Sequence, residues 1–338
     1  MKKIYFLLMA GILLLTSCKD EKAFVINGTC PDSNGTTVRL VFRVGKEWKD
    51  IDTTAVEDGK FAFKGKIDPS IPARVVTGTG YCELILEPGE ITLSVGDNKV
   101  NGTPLNDKLT TLKDEIEKIV ASDDEYAYDK YVLTLTAYIS ENIQNPLGQM
   151  LLDDNLYIFS DYPDELEELV NSIGEPYKSM PNIVALKERA SKIISTSAGH
   201  KFIDFGFTTT TGETMKLSDL VGSSSYVLVD FWASWCGPCR MSLPAMKELY
   251  EANRDKGFSM LGVSLDSDIE AWHSAIEMFE MTWLQTSELK GWEGEISNLY
   301  GVTAIPCTIL IDHEGMIVAR NVEASEVSQL CGFTSDEQ

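Results

Sequence analysis

Positive charge and histidine are both scarce in this chain of 338 residues. It carries 29 lysines and arginines against 52 aspartates and glutamates, which gives a formal net charge of −23, and it has three histidines. Proteins that bind nucleic acids concentrate lysine and arginine against the phosphate backbone. We therefore expect no nucleic-acid partner, and the negative charge is of the kind that keeps a protein soluble.

Long apolar runs are also missing beyond the first residues of the chain. A membrane-spanning helix needs about 20 predominantly apolar residues, and no segment after Cys18 approaches that length. At the start, Lys2 and Lys3 precede an apolar run of twelve residues, Ile4 to Leu15. This run is too short to cross a bilayer, but it has the length of the apolar core of a signal peptide.

The apolar run ends in Leu15-Thr16-Ser17-Cys18, which resembles the lipobox of bacterial lipoproteins. In that family the cysteine is acylated and becomes the mature N-terminus. The resemblance implies a signal peptide over residues 1–18, lipid attachment at Cys18, and a protein of the cell envelope that is anchored in the outer membrane and faces the periplasm. Lys19-Asp20-Glu21 is similar to short tags that direct some lipoproteins to the cell surface, so a location on the outer face of the outer membrane is the alternative. The alternative is a plain secretory signal with a cysteine there by chance.

Residues 23–103 have the pattern of β-strands. The segment Val38 to Val44 carries an apolar residue at every second position, and a period of two residues indicates strands with one buried face. Asp58-Gly59 lies between two strand-like runs and predicts a tight hairpin. The pattern predicts a small antiparallel β-domain, sandwich-like or barrel-like.

Residues 104–195 change to a helical period. Apolar residues between Leu105 and Ile119 recur every three or four positions, which places them on one face of a helix. Pro146, Pro163 and Pro181 each stand where a helix would begin or break. We predict an α-helical region of four or five amphipathic helices whose apolar stripes form a core.

Three segments of this N-terminal half, DGKFAFKGKI, LEPGEITLSV and NGTPLND, resemble part of a group of envelope lipoproteins. In that group a β-domain of unknown function precedes a thioredoxin-like domain. The resemblance implies the same architecture here and no particular chemistry for the β-domain.

Residues 200–338 alternate strands and helices, which predicts an α/β layer fold. The strand Tyr226 to Phe231, which is apolar except at Asp230, leads through a short turn to a helix over Pro238 to Asn253, and the two cysteines, Cys236 and Cys239, lie where the turn meets the helix. A cysteine in the first turn of a helix meets unpaired N–H groups and the positive end of the helix dipole, so Cys236 should have a lowered pKa and act as the nucleophile. Cys239 follows one turn later, close enough for a disulfide, and its deeper position suits the resolution of a mixed disulfide.

Two cysteines separated by two residues are also half of a zinc site. Tetrahedral zinc needs two further cysteine or histidine ligands at matching spacing. The chain has no second pair of this kind, and His200, His273 and His313 are scattered. We therefore expect no metal and no bound cofactor.

Four cysteines remain outside the lipobox and the dithiol: Cys30, Cys82, Cys307 and Cys331. Thiols outside the cytoplasm can oxidise, so Cys30 and Cys82 are an available pair within one domain, and two unpaired buried cysteines fit equally well. Cys307 follows Pro306 on a predicted strand, where we expect its side chain in the core, and a third redox thiol is the alternative.

The segment WCGPC after VDFWAS, together with GVTAIPCTILIDHEG further on, resembles the active-site segments of the thioredoxin superfamily. The resemblance implies a thioredoxin-like domain over residues 200–338, in which a cis proline, Pro306, faces the dithiol and shapes a peptide groove lined by Ile305 and Trp235. Trp235 would shield the dithiol, or would simply be an amphipathic ring at the surface. The lead-in FTTTTGETMKLSDLVG is similar to the membrane-anchored TlpA/ResA-like branch of thiol-disulfide oxidoreductases.

The chain departs from the TlpA/ResA-like pattern at two positions. That branch carries a glutamate three residues past the second cysteine and an asparagine on the strand before the motif, where this chain has Ser242 and Asp230. A serine cannot serve as a carboxylate base, so we expect Asp230 to accept the proton of Cys239 during resolution. Burial should raise the pKa of Asp230 and let it hold a proton near neutrality. The alternative is a strand aspartate that caps a turn.

The sequence therefore predicts a lipid-anchored thiol-disulfide oxidoreductase of the cell envelope that reduces protein disulfides. The reducing direction is implied by thioredoxin, which has the same Gly-Pro between its cysteines. The expected partners are disulfide-bearing envelope proteins and a membrane electron donor of unknown identity. One alternative is a non-catalytic envelope binding protein that uses the β and helical regions, with the thioredoxin fold as a scaffold. The other is a thiol peroxidase, since GVSLDSD resembles a stretch of peroxiredoxins.

Overall fold

The structure is a computed structural model that describes residues 21–31, 33–44 and 47–333. The chain divides into two compact units, with the main division between residues 115 and 116. The predicted signal peptide and Cys18 lie outside the described residues. Among the described residues, no helix has the length and apolar character needed to cross a membrane.

The first unit is built from two four-stranded sheets. Their orders are β4-β1-β7-β8 and β3-β2-β5-β6. Alternation along a strand buries one of its faces, as in β2, where Val38 and Leu40 are fully buried on either side of the exposed Arg39. The strands are β1 (Ala23–Thr29), β2 (Thr37–Val44), β3 (Glu47–Ala55), β4 (Lys60–Lys66), β5 (Ile71–Thr77), β6 (Gly80–Leu86), β7 (Gly89–Ser94) and β8 (Lys99–Asn101).

The predicted β-domain is confirmed, with two differences of connection. Asp58 and Gly59 both adopt positive φ angles, 50° and 71°, and Glu57 and Lys60 exchange two backbone hydrogen bonds around them. The tight turn is therefore present, but it joins strands of different sheets and closes no hairpin between β3 and β4. In addition, β1 pairs with β7 in parallel. Local turn chemistry specifies the turn and leaves open which sheet the next strand enters.

Helices follow the β-domain, as predicted from the change of period. Pro146, Pro163 and Pro181 are each the first residue of a helix, where a missing N–H removes no hydrogen bond. Asn145 caps one of these helices, since its side chain accepts a hydrogen bond from the Leu147 N–H at 3.0 Å. The elements are α1 (Pro104–Val120), α2 (Ala127–Asn142), α3 (Pro146–Asp154), a 3₁₀ turn (Leu156–Asp161), α4 (Pro163–Ser172) and α5 (Pro181–Ser195).

The rest of the second unit confirms the predicted α/β domain. Its five-stranded sheet has the order β13-β12-β11-β14-β15, with β11, β12 and β13 mutually parallel and with β14 and β15 antiparallel to their neighbours. The elements are β9 (Gly206–Thr208), β10 (Thr214–Lys216), α6 (Leu217–Val221), β11 (Tyr226–Trp232), α7 (Gly237–Asn253), β12 (Phe258–Ser264), α8 (Ile269–Met278), β13 (Leu284–Ser287), α9 (Glu295–Leu299), β14 (Cys307–Asp312), β15 (Ile317–Arg320) and α10 (Ala324–Leu330).

The central strand β11 positions the candidate site. It has a neighbour on each side, and its last six residues are buried. A strand inside a sheet that is covered on both faces is expected to be continuously apolar, and β11 breaks this rule only at Asp230. The strand ends at Trp232, and the chain turns directly into α7, so the turn between them lies beyond the carboxyl end of the central strand.

Candidate active site

Cys236 and Cys239 are joined by a disulfide where β11 passes into α7, with their Cα atoms 5.3 Å apart. Cys236 is the N-cap residue of α7, and its sulfur accepts a hydrogen bond from the backbone N–H of Cys239 at 3.2 Å. Cys236 is 5% exposed and Cys239 is 1% exposed. The N–H groups and dipole of the helix favour a negative charge at the Cys236 sulfur once the pair is reduced.

A cis peptide bond lies against the disulfide. The peptide between Ile305 and Pro306 is cis, as the thioredoxin resemblance implies. The Ile305 carbonyl oxygen lies 3.7 Å from the Cys236 sulfur. The pairing of β14 with β11, in which Cys307 lies opposite Phe231, brings this peptide to the end of β11.

Asp230 lies within β11 and is 4% exposed. Burial raises the pKa of its carboxyl to about 7, because a carboxylate that loses water in an apolar surrounding is less stable than the neutral acid. In the part of the chain that the structure describes, no hydrogen bond or ion pair reaches this carboxyl. Asp230 therefore caps no turn there, and its proton state is set by burial.

The turn before Cys236 is held by another acid, Asp266, which belongs to the GVSLDSD segment but was not predicted to contact this turn. Its buried carboxylate accepts hydrogen bonds from the Ser234 N–H at 2.9 Å, from the Ser234 hydroxyl at 2.6 Å, and from the Ser264 hydroxyl at 2.7 Å. Ser264 is the register partner of Trp232 on the neighbouring parallel strand. The carboxyl ends of adjacent parallel strands meet at one edge of a sheet, which is the signal that points to Asp266.

Two tryptophans lie together beside the disulfide. Trp235 is 56% exposed and Trp292 is 43% exposed, and their ring centroids are 6.3 Å apart. Trp292 belongs to a 3₁₀ turn, Gly291–Glu293, that is distant in sequence and was not predicted to reach the dithiol. The exposure of Trp235 shows a ring that stands at the surface, next to a disulfide that is itself nearly buried.

A groove with a volume of about 720 Å³ runs beside Pro238, which lies between the two cysteines, and its lining includes Pro306 but neither Trp235 nor Ile305. One side is formed by α7, the other side is formed by the loop between β15 and α10, and Pro306 and Thr308 lie between them. The residues that line it are Pro238, Met241, Ser242, Ala245, Met246, Pro306, Thr308, Asn321, Val322, Glu323, Ala324 and Ser325.

Comparison with known proteins places these features in a family. Residues 198–320 match the AhpC/TSA family, and residues 24–109 match a domain of unknown function, DUF4369. The chain is 32% identical over 123 residues to the thiol-disulfide oxidoreductase ResA of Oceanobacillus iheyensis, which covers 36% of this chain and 62% of that protein. It is 30% identical over 128 residues to the ResA of Bacillus cereus, which covers 38% of this chain and 71% of that protein.

This chain belongs to the ResA-like thiol-disulfide oxidoreductases. Among solved structures, the thioredoxin domain of a thiol-disulfide oxidoreductase from Bacteroides vulgatus is 32% identical, with a TM-score of 0.37 over 40% of this chain and 98% of that one. The predicted thioredoxin-like oxidoreductase domain, preceded by a β-domain of unknown function, is confirmed.

Ser242 shows how this ResA-like chain differs from the pattern of its branch. Ser242 stands three residues past Cys239, where the branch has a glutamate. Its hydroxyl donates a hydrogen bond to the Cys239 carbonyl oxygen at 2.8 Å, within its own helix. The Ser242 side chain supplies no carboxylate next to the dithiol. Asp230 is the buried acid that precedes the dithiol in the chain.

The four cysteines outside the lipobox and the dithiol are free thiols. Cys30 donates a hydrogen bond to the Ser33 hydroxyl at 2.9 Å and forms no disulfide with Cys82, so the unpaired arrangement is the one found. Burial raises the pKa of Cys82 to about 11 and that of Cys331 to about 12. Burial also raises the pKa of Cys307, which is 3% exposed. The three thiols with raised pKa values are protonated at neutral pH and are poor nucleophiles.

No group of three or more metal-binding side chains is present among the described residues. With the disulfide formed, both sulfurs of the CxxC pair are bonded to each other.

Proposed function

We propose that this protein reduces disulfide bonds of other envelope proteins through Cys236 and Cys239. The observation that carries the proposal is the Cys236–Cys239 disulfide, which lies at the N-terminus of α7 against the cis peptide of Pro306. A helix N-terminus favours the thiolate form of Cys236. The nearby groove offers room for an extended segment of a substrate protein.

The reaction begins from the reduced pair. The Cys236 thiolate attacks one sulfur of the substrate disulfide, which forms a mixed disulfide and releases the other substrate sulfur as a thiolate. Cys239 then attacks the Cys236 sulfur, which forms the Cys236–Cys239 disulfide and releases the second substrate thiol. The substrate gains two electrons and the enzyme loses two. Because Cys236 is the more exposed residue of the pair, it is assigned the first attack.

Asp230 is proposed to receive the proton of Cys239 in the second step. Its support is burial within the strand that leads to the dithiol and a pKa of about 7, which lets the carboxyl both accept and release a proton near neutral pH. The proton then leaves to solvent. Ser242 has no part in this transfer, because its hydroxyl is engaged with its own helix.

The direction of electron transfer and the location of the protein in the cell envelope belong to the same proposal. Gly237 and Pro238 between the cysteines match thioredoxin, a reductant with a potential of about −270 mV. A reductase in the envelope needs a dithiol donor at the membrane to return it to the reduced state. Lipid attachment at Cys18 would hold the protein at the outer membrane, facing the periplasm, and export to the outer face is the alternative that the Lys19-Asp20-Glu21 segment leaves open.

A direct test measures the release of thiols from insulin, whose disulfides serve as a general protein substrate. Reduced protein without residues 1–18 is expected to reduce insulin and to end as the Cys236–Cys239 disulfide, with two insulin thiols formed for each enzyme oxidised. Cys236→Ser should form none. Hydrogen peroxide offered instead of insulin should oxidise the pair slowly. Rapid turnover with peroxide and none with insulin would replace this proposal by a thiol peroxidase.

A further inference from the structure

One wall of the groove is the loop between β15 and α10. The loop is tied to β14 by two hydrogen bonds, from the Asn321 N–H to the Thr308 carbonyl oxygen and from the Thr308 hydroxyl to the Val322 carbonyl oxygen, each 2.8 Å long. Thr308 itself lines the groove two residues after Pro306. The position of this wall relative to the cis proline therefore depends on Asn321 and its neighbours.

The side chain of Asn321 is held by the 3₁₀ turn Leu156–Asp161. Its amide donates hydrogen bonds to the Ser160 hydroxyl at 2.9 Å and to an oxygen of the Asp161 carboxyl at 2.8 Å. Ser160 is buried, and its hydroxyl donates in turn to the Tyr157 carbonyl oxygen. Asn321 also has a positive φ of 53°, a conformation that asparagine adopts more readily than most residues. Its backbone and side chain are both fixed.

The preceding residue, Arg320, makes a second attachment. Arg320 is 9% exposed. Its guanidinium donates hydrogen bonds to the Thr196 hydroxyl at 2.8 Å and to the Tyr300 carbonyl oxygen at 3.0 Å. Thr196 directly follows α5 and is fully buried. Two consecutive residues, Arg320 at the end of β15 and Asn321 in the groove wall, are thus hydrogen-bonded to the helical segment that precedes the α/β domain in the chain.

We propose that the helices α2–α5 and their 3₁₀ turn position the groove wall for protein substrates, with Ser160 and Asp161 as positioning residues. The inference rests on the proposed function of the groove. A protein substrate has to lay a segment of chain between α7 and this wall. A small disulfide needs access to the Cys236 sulfur alone. Loosening the wall should therefore weaken the binding of protein substrates and leave the attack on small disulfides intact.

The test uses the Asp161→Ala variant in the chain without residues 1–18. The net strength of a typical hydrogen bond corresponds to about two- to tenfold in an equilibrium constant, so loosening the wall by this one bond should raise the KM for insulin by up to about that factor. The rate with 5,5′-dithiobis(2-nitrobenzoate) should stay within about twofold of the parent, since Asp161 lines no part of the groove. Hydrogen exchange of the peptides that contain residues 322–325 should become faster.

The matched control is Gln144→Ala. It removes a hydrogen bond of 2.8 Å from Gln144 to the Ser172 carbonyl oxygen, which lies within the helices and does not involve the groove wall. This control should change neither the KM for insulin nor the exchange of the wall. Asn321→Gly is a second variant for the exchange measurement, because glycine accepts the positive φ while both side-chain bonds are lost.

Two results separate this inference from the proposed function. If the parent protein reduces no insulin, the proposed function fails, and the exchange measurement still decides whether Asp161 fixes the wall. If the parent is active but Asp161→Ala has the KM and the exchange of the Gln144→Ala control, the positioning role is wrong. A loss of activity on both substrates to the same extent would also contradict it, since that result indicates general damage to the site.

Discussion

Replacing Asp230 by asparagine should remove a pH-dependent penalty on the stability of the fold. An aspartate carboxyl in water has an ordinary pKa of 3.8, and burial in the fold raises the pKa of Asp230 to about 7. Since the folded state binds this proton more tightly than the unfolded state, ionisation opposes folding. The penalty is absent below about pH 4, grows as the pH rises to about 7, and is constant above that. The asparagine side chain of the variant carries no charge at any pH.

The size of the effect follows from the displacement of the pKa. Each pKa unit corresponds to about 1.36 kcal/mol, so a carboxyl moved from 3.8 to about 7 destabilises the fold by about 4 kcal/mol at pH 8. This is a large fraction of the about 5–15 kcal/mol by which domains are usually stable. The other ionisable groups are shared by the parent and the variant, and their contributions cancel in the difference.

The measurement is urea unfolding of the disulfide form of the parent and of Asp230→Asn between pH 4 and pH 9. The difference in unfolding free energy should increase by about 4 kcal/mol from pH 4 to pH 8 and then level off. A difference that stays constant across the range would show that Asp230 ionises without penalty, and the argument from burial would be refuted. The buried amide of the variant can add a constant to the difference in unfolding free energy, but this constant does not change how the difference varies with pH.

The same substitution should slow resolution of the mixed disulfide at pH 7. Removal of a general base typically reduces a rate by about 10²- to 10⁴-fold, and the defect should shrink at high pH, where Cys239 ionises unaided. Ser242→Ala should have little effect. Ser242→Glu added to Asp230→Asn should restore part of the rate, because it recreates the acid of the TlpA/ResA-like pattern. Equal pH–rate profiles for the parent and Asp230→Asn would show that the proton of Cys239 is accepted by a group other than Asp230.

Three further outcomes test the anchor, the division of labour and the support of the dithiol. Cys18→Ala should abolish lipidation and release the protein from the membrane fraction, and retention there would contradict the lipobox. Cys239→Ser should accumulate mixed disulfides that are visible on non-reducing gels, whereas Cys236→Ser should accumulate none, and equal trapping by both would remove the assigned roles. Asp266→Ala leaves the buried Ser264 hydroxyl and the half-buried Ser234 N–H and hydroxyl without their acceptor, and it should lower the free energy of unfolding by about 2–4 kcal/mol. Asp268→Ala removes only a helix cap on α8 and should lower the free energy of unfolding by about 1 kcal/mol. An equal loss for both variants would contradict the role of Asp266 in holding the turn before Cys236.

The elements and the dithiol could be predicted because their signals are local in the chain. The apolar run of β11 and the prolines at the starts of α3, α4 and α5 lie within the elements that they specify. Cys236 and Cys239 are one helical turn apart, so their proximity follows from the helix alone. The predicted bounds of β11 and α7 each differ from those observed by one residue at one end, as is usual at the ends of elements.

The contacts that escaped prediction join residues far apart in sequence. Asp266 is 32 positions from Ser234, and Asp161 is 160 positions from Asn321. Such pairs depend on strand register and on how helices pack beside the sheet, and neither leaves a local pattern. The hairpin predicted at Asp58-Gly59 fails for the same reason, because the geometry of the turn is local but the choice of sheet for the following strand is not.

The central claim is that Cys236 and Cys239 form a reducing couple, and their reduction potential tests it most directly. The protein without residues 1–18 would be equilibrated in dithiothreitol buffers of graded redox ratio, and the reduced fraction would be read by thiol alkylation. With Gly237 and Pro238 between the cysteines, as in thioredoxin, we predict a potential of about −270 mV. A value near about −120 mV, which is that of a strong oxidant, would contradict the account and assign the protein to disulfide formation.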